Sequence, residues 1–209
     1  MAEPERYIQT YRYNVAAHET DAIRNCRWFA WFLLRPPYSW SLNAICAALG
    51  NWEVETLLNP NYPQSANFPT AQSGGFGMPH WTPWYDKYGM WVRINYGLIA
   101  SATDDNPLAD FALQMEYHEH ECVNGYNGGK TWYNNKGYSY TWEEWKHSTD
   151  DVETLASAYY YQYERSGAGN PGTRPEKAKK WWDYFQENPP DRDIPVWLYF
   201  KFNDWRKEK

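Results

Sequence analysis

Residues Ser39–Pro60 read SWSLNAICAALGNWEVETLLNP, and this stretch decides the fold. Its apolar residues recur at the spacing of an amphipathic helix, namely Leu42, Ile45, Cys46, Leu49 and Trp52. The side-chain oxygen of Ser39 or Ser41 can cap the start of this helix, because either can accept a bond from an orphan backbone N–H. Asn59-Pro60 is expected to end it, since the residue before a proline disfavours helical angles. We therefore predict a helix with one buried face.

Two acids, Glu53 and Glu55, lie near the end of the predicted helix. At about 100° per residue, Glu53 falls on the apolar face and Glu55 lies well off it. A carboxylate at the end of a helix packed into a core is partly desolvated, which favours its protonated form. A protonated carboxylic acid is what general acid catalysis needs, so both residues are possible proton donors.

A glycine-rich aromatic segment follows, Ser73–Pro83, with the sequence SGGFGMPHWTP. Its closely spaced glycines permit backbone angles closed to other residues and allow a ligand to approach the main chain. Phe76, His80 and Trp81 add ring faces and polar edges. We expect a short β-hairpin or irregular wing at Gly74–Pro83, forming one wall of a sugar cleft beside the helix.

Two linked motifs resemble the phage tail lysozyme family, within the lysozyme and lytic transglycosylase superfamily. They are Leu49–Pro60 (LGNWEVETLLNP) and Gly75–Thr82 (GFGMPHWT), and Tyr163–Gly167 (YERSG) is a weaker third match. The family typically carries Leu-Gly-Asn-(apolar)-x-x-Glu-Ser-x-Leu-Asn-Pro, then Gly-(aromatic)-Gly-Leu-x-Gln-Trp-Thr, and later Tyr/Phe-Glu-Arg-Pro-Gly. The resemblance runs from about Trp40 to about Tyr184.

This chain departs from the family pattern at three places. Thr56 replaces the usual serine, His80 the usual glutamine and Ser166 the usual proline. The histidine bears most on function, because it is expected to face the substrate. Protonated histidine has two donors and no acceptor, unlike glutamine, so a hydrogen bond that His80 accepts from a sugar would be lost at low pH.

The resemblance implies a mainly α, lysozyme-like helical domain with a short hairpin or irregular wing and no cofactor or metal. It places the catalytic acid at Glu55, with Glu53 as the rival that the helical wheel favours. The residues that it implies contact the substrate are Gly75, Phe76, Gly77, His80, Trp81, Tyr163 and Glu164. Glu164 can alternatively be an ion-pair partner of Arg165 or Arg174.

The function implied is a muramidase that cleaves the β-1,4 glycosidic bond of peptidoglycan. The alternatives are a lytic transglycosylase acting on the same bond and a non-catalytic glycan-binding protein of a phage tail. The setting implied is a phage tail tip, reached after assembly in the host cytoplasm, with other tail proteins as further partners; a released endolysin fits equally. A second catalytic carboxylate is not singled out among Asp86, Asp104, Asp105 and Glu116.

The aromatic content and the net charge of the chain indicate which kinds of partner it can bind. Aromatic residues make up 20% of the 209 residues, including 14 Trp and 19 Tyr, more than packing alone is expected to need. The net charge of −6 argues against nucleic acid and against an anionic membrane surface as partners. A glycan can be held by ring stacking and neutral hydrogen bonds. The aromatics of residues 124–145 are either sugar subsites or a packed loop.

The cysteines and the apolar segments argue against a disulfide framework, a metal site, a signal peptide and a membrane-spanning helix. Cys26, Cys46 and Cys122 are isolated and odd in number, which favours reduced thiols over disulfides. His118 and Cys122 are one helical turn apart, but two further ligands at metal spacing are lacking. Residues 1–14 lack the apolar core of a signal peptide, and Phe29–Leu34 is too short to span a bilayer.

We expect three parts: an N-terminal arm and supporting helix (1–38), a lysozyme-like catalytic domain (39–186) and an aromatic tail that docks on the body (187–209).

Besides the glutamate helix, the periodicity predicts helices at 16–34, 85–100, 108–121, 152–163 and 175–185. Thr141 and Glu144 have the spacing of a capping box, which predicts a further helix start. Residues 124–137 are expected to form a loop or short hairpin.

Overall fold

Helices dominate the fold. The computed structural model describes Tyr7, Gln9, residues 19–164 and residues 169–190. In this part the α-helices are α1 (Glu19–Leu33), α2 (Leu42–Thr56), α3 (Met90–Tyr96), α4 (Phe111–Asn124), α5 (Trp142–His147), α6 (Val152–Tyr159) and α7 (Arg174–Glu187). The prediction of a mainly α, lysozyme-like helical domain is confirmed.

The predicted glutamate helix is α2, and it lies at the centre of the body. It packs against α1, α5, α6 and α7, and its residues from Ala44 to Glu53 are all buried. Ser41 caps it, because its side chain accepts a hydrogen bond of 3.0 Å from the backbone N–H of Ala44. The helix ends at Thr56, where Leu57 turns left-handed with φ 55°. Asn59-Pro60 therefore lies beyond the end instead of causing it.

Gly50 allows α7 to lie directly on α2. A Cβ atom at this position would stand 2.5 Å from the backbone nitrogen of Ala178 and 2.6 Å from the carbonyl oxygen of Arg174. Backbone atoms inside a helix cannot move aside cheaply, so only glycine fits. This contact brings the first turn of α7 close to the end of α2, where Glu55 lies.

Several predicted helices have different bounds in the structure. The segment 85–100 divides into a π-helical turn, Tyr85–Gly89, and α3, which stops because Gly97 adopts φ 69°. Similarly, α6 continues as a second π-helical turn, Tyr160–Glu164. The capping box at Thr141 is present at the start of α5.

The predicted wing has little regular structure. Isolated antiparallel bridges join Pro63 to Phe76 and Phe76 to Trp81, and no longer ladder forms among the described residues around them. The segment at residues 124–137 is also joined only by isolated bridges among the described residues, from Tyr126 to Gly129 and from Asn135 to Tyr138. Of the two forms that the sequence allowed, a short β-hairpin and an irregular wing, the structure has the irregular one.

Most of the aromatic excess is used in packing. A large cluster fills the body around α2, and a second cluster lies under the wing. The tryptophans of the 124–145 segment, Trp132, Trp142 and Trp145, belong to the body cluster and are buried. This favours the packed loop over a row of sugar subsites, although Tyr133 is 37% exposed.

The structure describes only parts of the two predicted extensions. Tyr7 of the N-terminal arm is buried, and its hydroxyl accepts a hydrogen bond of 2.9 Å from the backbone N–H of Phe111. The docking predicted for the aromatic tail (187–209) concerns residues that from 191 onward lie outside the described part, and the division at residues 38 and 186 stays a prediction. No helix in the described part of the chain has the length and apolar character needed to cross a membrane.

Candidate functional site

Glu55 lies in the last turn of α2, where three elements meet. Its Oε1 atom accepts a hydrogen bond from Nη2 of Arg174 at the start of α7. Its Oε2 atom lies 3.5 Å from Nδ1 of His80 in the wing, and the Glu55 side chain is 19% exposed. A carboxyl group of a buried helix is therefore held from two sides while remaining accessible to a ligand.

These partners set the charge of Glu55. Burial raises the pKa of the Glu55 carboxyl, but the hydrogen bond from His80 and the positive charge of Arg174 outweigh it, so the pKa lies below its ordinary value. Burial alone, which is what the sequence shows, predicts a raised pKa, whereas the pairing with Arg174 reverses the direction. The role of Glu55 as the catalytic acid stays a prediction.

Glu53, the rival, has a structural role. Its Oε2 accepts a 2.7 Å hydrogen bond from the indole of Trp181, and its Oε1 a 2.6 Å bond from Nζ of Lys177. Both donors belong to α7, so Glu53 ties α7 to α2 from the buried face that the helical wheel assigned to it. The structure therefore separates the two acids: Glu53 is turned into the helix interface and Glu55 toward the wing.

The wing is fastened to the body through Met78. The hydroxyl of Thr56 lies 3.3 Å from the carbonyl oxygen of Met78. Oε1 of Gln114 accepts a 2.8 Å hydrogen bond from the backbone N–H of Met78. Gln114 is fully buried in α4 and also donates to the carbonyl oxygens of Pro60 and Leu108, each at 2.8 Å. Nothing in the sequence pattern singled out Gln114.

His80 occupies a conformation that few side chains adopt. Its φ is 57°, and its backbone N–H donates to the carbonyl of Gly77 at 2.8 Å. The imidazole lies so close to Gly75 that a Cβ there would be 2.7 Å from the ring. Nδ1 faces Glu55, while Nε2 is buried and has no hydrogen-bond partner among the described residues. The main interaction of His80 is thus with the carboxylate.

Phe76 and Trp81 do not present their rings to a ligand in this structure. Phe76 is fully buried and stacks on Phe68 with ring centroids 4.7 Å apart, and Trp81 is 3% exposed. Gly77, with φ 81°, leaves room for the Trp81 ring, since a Cβ would lie 2.6 Å from it. Phe76 and Trp81 were predicted to contact substrate directly. In the structure they are buried and support the wing from its interior.

Tyr163 is also internal, and it shares a buried acid with Trp81. The Tyr163 hydroxyl and the Trp81 indole both donate to Oε1 of Glu121, and those two donor atoms lie 2.9 Å apart. Burial, followed by the charge of Glu121, raises the pKa of Tyr163, so the hydroxyl keeps its proton. Glu121, which the sequence did not single out, joins α4, the wing and the segment after α6.

Glu164 follows Tyr163 at the end of the second π-helical turn. It is partly buried, and its Oε1 atom has neither exposed surface nor a hydrogen-bond partner among the described residues. Burial and then the charge of Glu55 raise the pKa of Glu164 well above its ordinary value, more than Arg174 lowers it. Arg174 is therefore the direct partner of Glu55, not of Glu164, while both carboxyl groups act on each other.

The other acidic candidates are placed differently. Asp86, Asp104 and Asp105 are exposed, and Glu116 accepts a hydrogen bond from the Tyr96 hydroxyl. None of these four is among the groups whose charges principally shift the pKa of Glu55 or Glu164. Among the acids considered, Glu164 is the one whose pKa is raised by the charge of Glu55.

His118 and Cys122 share a face of α4, as their spacing predicts, with Nδ1 and Sγ 3.7 Å apart. Nε2 of His118 lies 2.7 Å from the Tyr159 hydroxyl, and burial lowers the pKa of this imidazole to about 3. Within the described ranges, no group of three or more His, Cys, Asp or Glu side chains could hold a metal ion.

A helical body whose central helix ends in a partly exposed glutamate, beside a glycine-rich wing, defines a lysozyme-like protein. The phage tail lysozyme family matches residues 30–185, and the chain belongs to that family. It is also similar to Morphogenesis protein 1 of Bacillus phage B103, with 30% identity over 145 residues, which cover 69% of this chain and 35% of that protein. The chain thus spans about a third of the length of this curated relative.

Proposed function

We propose that the chain is a muramidase that cleaves the β-1,4 glycosidic bond of peptidoglycan, with Glu55 as an essential carboxyl group. The observation that carries the proposal is the placement of Glu55, which combines a rigid, buried helix with a partly exposed carboxylate beside the wing. Cleavage of a glycosidic bond develops positive charge on the sugar ring, and a fixed carboxylate can stabilise that charge. Family membership agrees with this chemistry.

The setting that we propose is a virion, where the enzyme opens the cell wall locally during entry. Its support is the family of phage tail lysozymes and the similarity to a phage morphogenesis protein. In this setting the partners are the peptidoglycan glycan strand and neighbouring tail proteins. Neither the nucleic acid nor the membrane is expected to bind a chain with a net charge of −6.

The decisive experiment is digestion of purified peptidoglycan by the wild type and by Glu55→Gln. We expect the variant to remain folded and to lose at least about 100-fold in rate, in line with the contribution of a positioned acid or base. Glu53→Gln and the exposed Glu153→Gln serve as controls. Lysis by Glu55→Gln at the wild-type rate would assign the essential carboxyl group to a different residue. Absence of lysis by the wild type would leave glycan binding without catalysis as the explanation of the fold.

The products decide between the two reactions on the same bond. Hydrolysis leaves reducing ends, whereas attack by the sugar's own 6-hydroxyl leaves 1,6-anhydro ends that lack one water. Mass spectrometry of the digest separates them. We expect reducing ends; a digest made only of anhydro ends would make the chain a lytic transglycosylase.

A further inference from the structure

Arg174 is a cation at the start of a helix, where a positive charge is disfavoured. It is the first residue of α7, and the unpaired backbone N–H groups at a helix N-terminus carry partial positive charge. The side chain is also only 9% exposed, and its Nε atom has no hydrogen-bond partner among the described residues. Such a placement is unfavourable unless a negative group compensates it, and Glu55 is that group.

The two ends of the Arg174 guanidinium group bind different partners. Nη1 donates to the carbonyl oxygen of Pro171 at 3.2 Å, in the loop before α7, and Nη2 donates to Oε1 of Glu55. The face of the group lies over the ring of Tyr160, with Cζ 4.9 Å from the ring centroid. These contacts come from three directions, so the donor that reaches Glu55 has a fixed position.

The contact with Arg174 distinguishes the two oxygen atoms of the Glu55 carboxyl group. Oε1 is bound by Arg174, whereas Oε2 faces the wing, where Nδ1 of His80 lies 3.5 Å away. An arginine side chain donates hydrogen bonds, never accepts them, and stays charged in proteins. Oε1 therefore remains the acceptor of that bond, and Oε2 is the oxygen that can act on a substrate at the wing.

We propose that Arg174 is a positioning residue for glycoside cleavage, which binds one oxygen of Glu55 and thereby presents the other, Oε2, to the scissile bond. This role rests on the proposed function and adds to it a residue that lies outside the three sequence motifs. Without Arg174 the carboxyl group could turn and would spend less time in the reactive orientation. Such a loss slows bond cleavage and leaves substrate binding largely unchanged.

The interface between α2 and α7 contains a matched control. Lys177, one turn further along α7, donates to Oε1 of Glu53 at 2.6 Å, and this ion pair also joins the two helices. Because Glu53 is turned into the helix interface, Lys177→Gln removes an ion pair between the same helices without changing the contacts of Glu55. If Arg174 had a structural role alone, its replacement and Lys177→Gln would have similar effects.

The experiment measures kcat and KM of the wild type, Arg174→Ala and Lys177→Gln on a soluble β-1,4-linked peptidoglycan oligosaccharide. We expect Arg174→Ala to lower kcat by about 10²-fold with little change in KM, which is the effect of a misplaced reacting group. Lys177→Gln should keep the wild-type kcat. Millimolar guanidinium ion should restore part of the kcat of Arg174→Ala, whereas urea, which is planar but uncharged, should not.

Each outcome decides between the proposals. A kcat of Arg174→Ala equal to that of Lys177→Gln overturns the positioning role and leaves the proposed function standing. An equal gain from guanidinium and urea also overturns it, since the charged donor would then not be what cleavage needs. Failure of the wild type to cleave the oligosaccharide overturns the proposed function itself.

A second variant decides if Arg174→Ala does not fold. Arg174→Lys keeps the positive charge but lacks the fork that binds Pro171 and Glu55 at the same time. Its kcat must fall below that of Lys177→Gln, with KM again little changed. A wild-type kcat in Arg174→Lys removes the proposal.

Discussion

The guanidinium of Arg174 and the carboxylate of Glu55 form an ion pair that joins the first turn of α7 to the last turn of α2. The two residues are far apart in the chain and meet because Gly50 allows the two helices to touch. The pair orients the carboxylate toward the wing and keeps it charged. Its removal should therefore be visible in both stability and the pH dependence of activity.

Arg174→Gln should destabilise the fold more at pH 7 than in acid. The pKa of Glu55 is lowered in the folded state, so the pair contributes stability above the ordinary carboxyl pKa and loses it as the pH falls through the lowered one. We expect a cost of about 1–3 kcal/mol at pH 7 in urea unfolding, with a smaller cost near pH 3. Lys179→Gln, which breaks the exposed pair with Asp183 on α7, should cost less than about 1 kcal/mol. Equal penalties at both pH values would contradict the pairing.

His80→Gln should move the acid limb of the kcat/KM profile to higher pH. His80 helps to hold Glu55 as the anion, so its replacement raises the pKa of Glu55, and the active ionised form is lost sooner on acidification. A shift of the acid limb to lower pH would mean instead that His80 itself accepts a hydrogen bond from the sugar.

Gly50→Ala should destabilise the protein and weaken activity together. The added methyl group would meet backbone atoms of Ala178 and Arg174 at 2.5 and 2.6 Å, so the two helices must separate. Overpacking of this kind costs about 1–3 kcal/mol, measurable by thermal or urea unfolding. Gly129→Ala is the matched control, because its Cβ would meet one atom at 3.5 Å on an exposed turn. A Gly50→Ala protein as stable as the wild type would refute the close contact.

Gln114→Leu should release the wing. The substitution leaves the N–H of Met78 and the carbonyl oxygen of Pro60 without their buried partner, at a cost of about 1–3 kcal/mol for each group that water cannot reach. The carbonyl oxygen of Leu108 keeps its hydrogen bond from the Tyr88 hydroxyl. Activity should fall further than in Gln64→Ala, which removes an exposed acceptor for the N–H of Gly75. Comparable losses in the two variants would show that the wing is held elsewhere.

Tyr163→Phe separates a supporting role from a binding role. The change removes the hydroxyl that donates to Glu121 but keeps the buried ring. We expect a loss of about 1–2 kcal/mol in unfolding free energy and an unchanged dissociation constant for a peptidoglycan oligosaccharide in calorimetry. Weaker oligosaccharide binding by a fully stable variant would restore Tyr163 to the substrate surface.

Local sequence signals predicted much of the fold. The cap at Ser41 and the capping box at Thr141 depend on residues close together in the chain, and both are observed. The predicted single buried face of α2 is exceeded, because all residues from Ala44 to Glu53 are buried. The turn of the backbone at Leu57 and the early end of α3 at Gly97 were missed, because helix ends depend on single left-handed residues.

The site was predicted less completely, since its electrostatics depend on residues distant in sequence. Motif order placed Glu55 and His80 in one proposed cleft, and in the structure Nδ1 of His80 lies 3.5 Å from Oε2 of Glu55. No spacing rule connects Glu55 to Arg174, or Gln114 to Met78, so neither the charge of the acid nor the anchor of the wing could be inferred. The count of aromatics also could not show that Phe76 and Trp81 face inward.

Thr56 follows Glu55 directly, and its hydroxyl reaches the carbonyl oxygen of Met78. The helix end that carries the acid and the wing that carries His80 therefore share one attachment point in the core. Such a site has no independent hinge there, so it should melt in the same cooperative transition as the helices instead of loosening first. Enzymatic activity during heating should consequently follow the loss of the α-helical signal, without an inactive, still-folded intermediate.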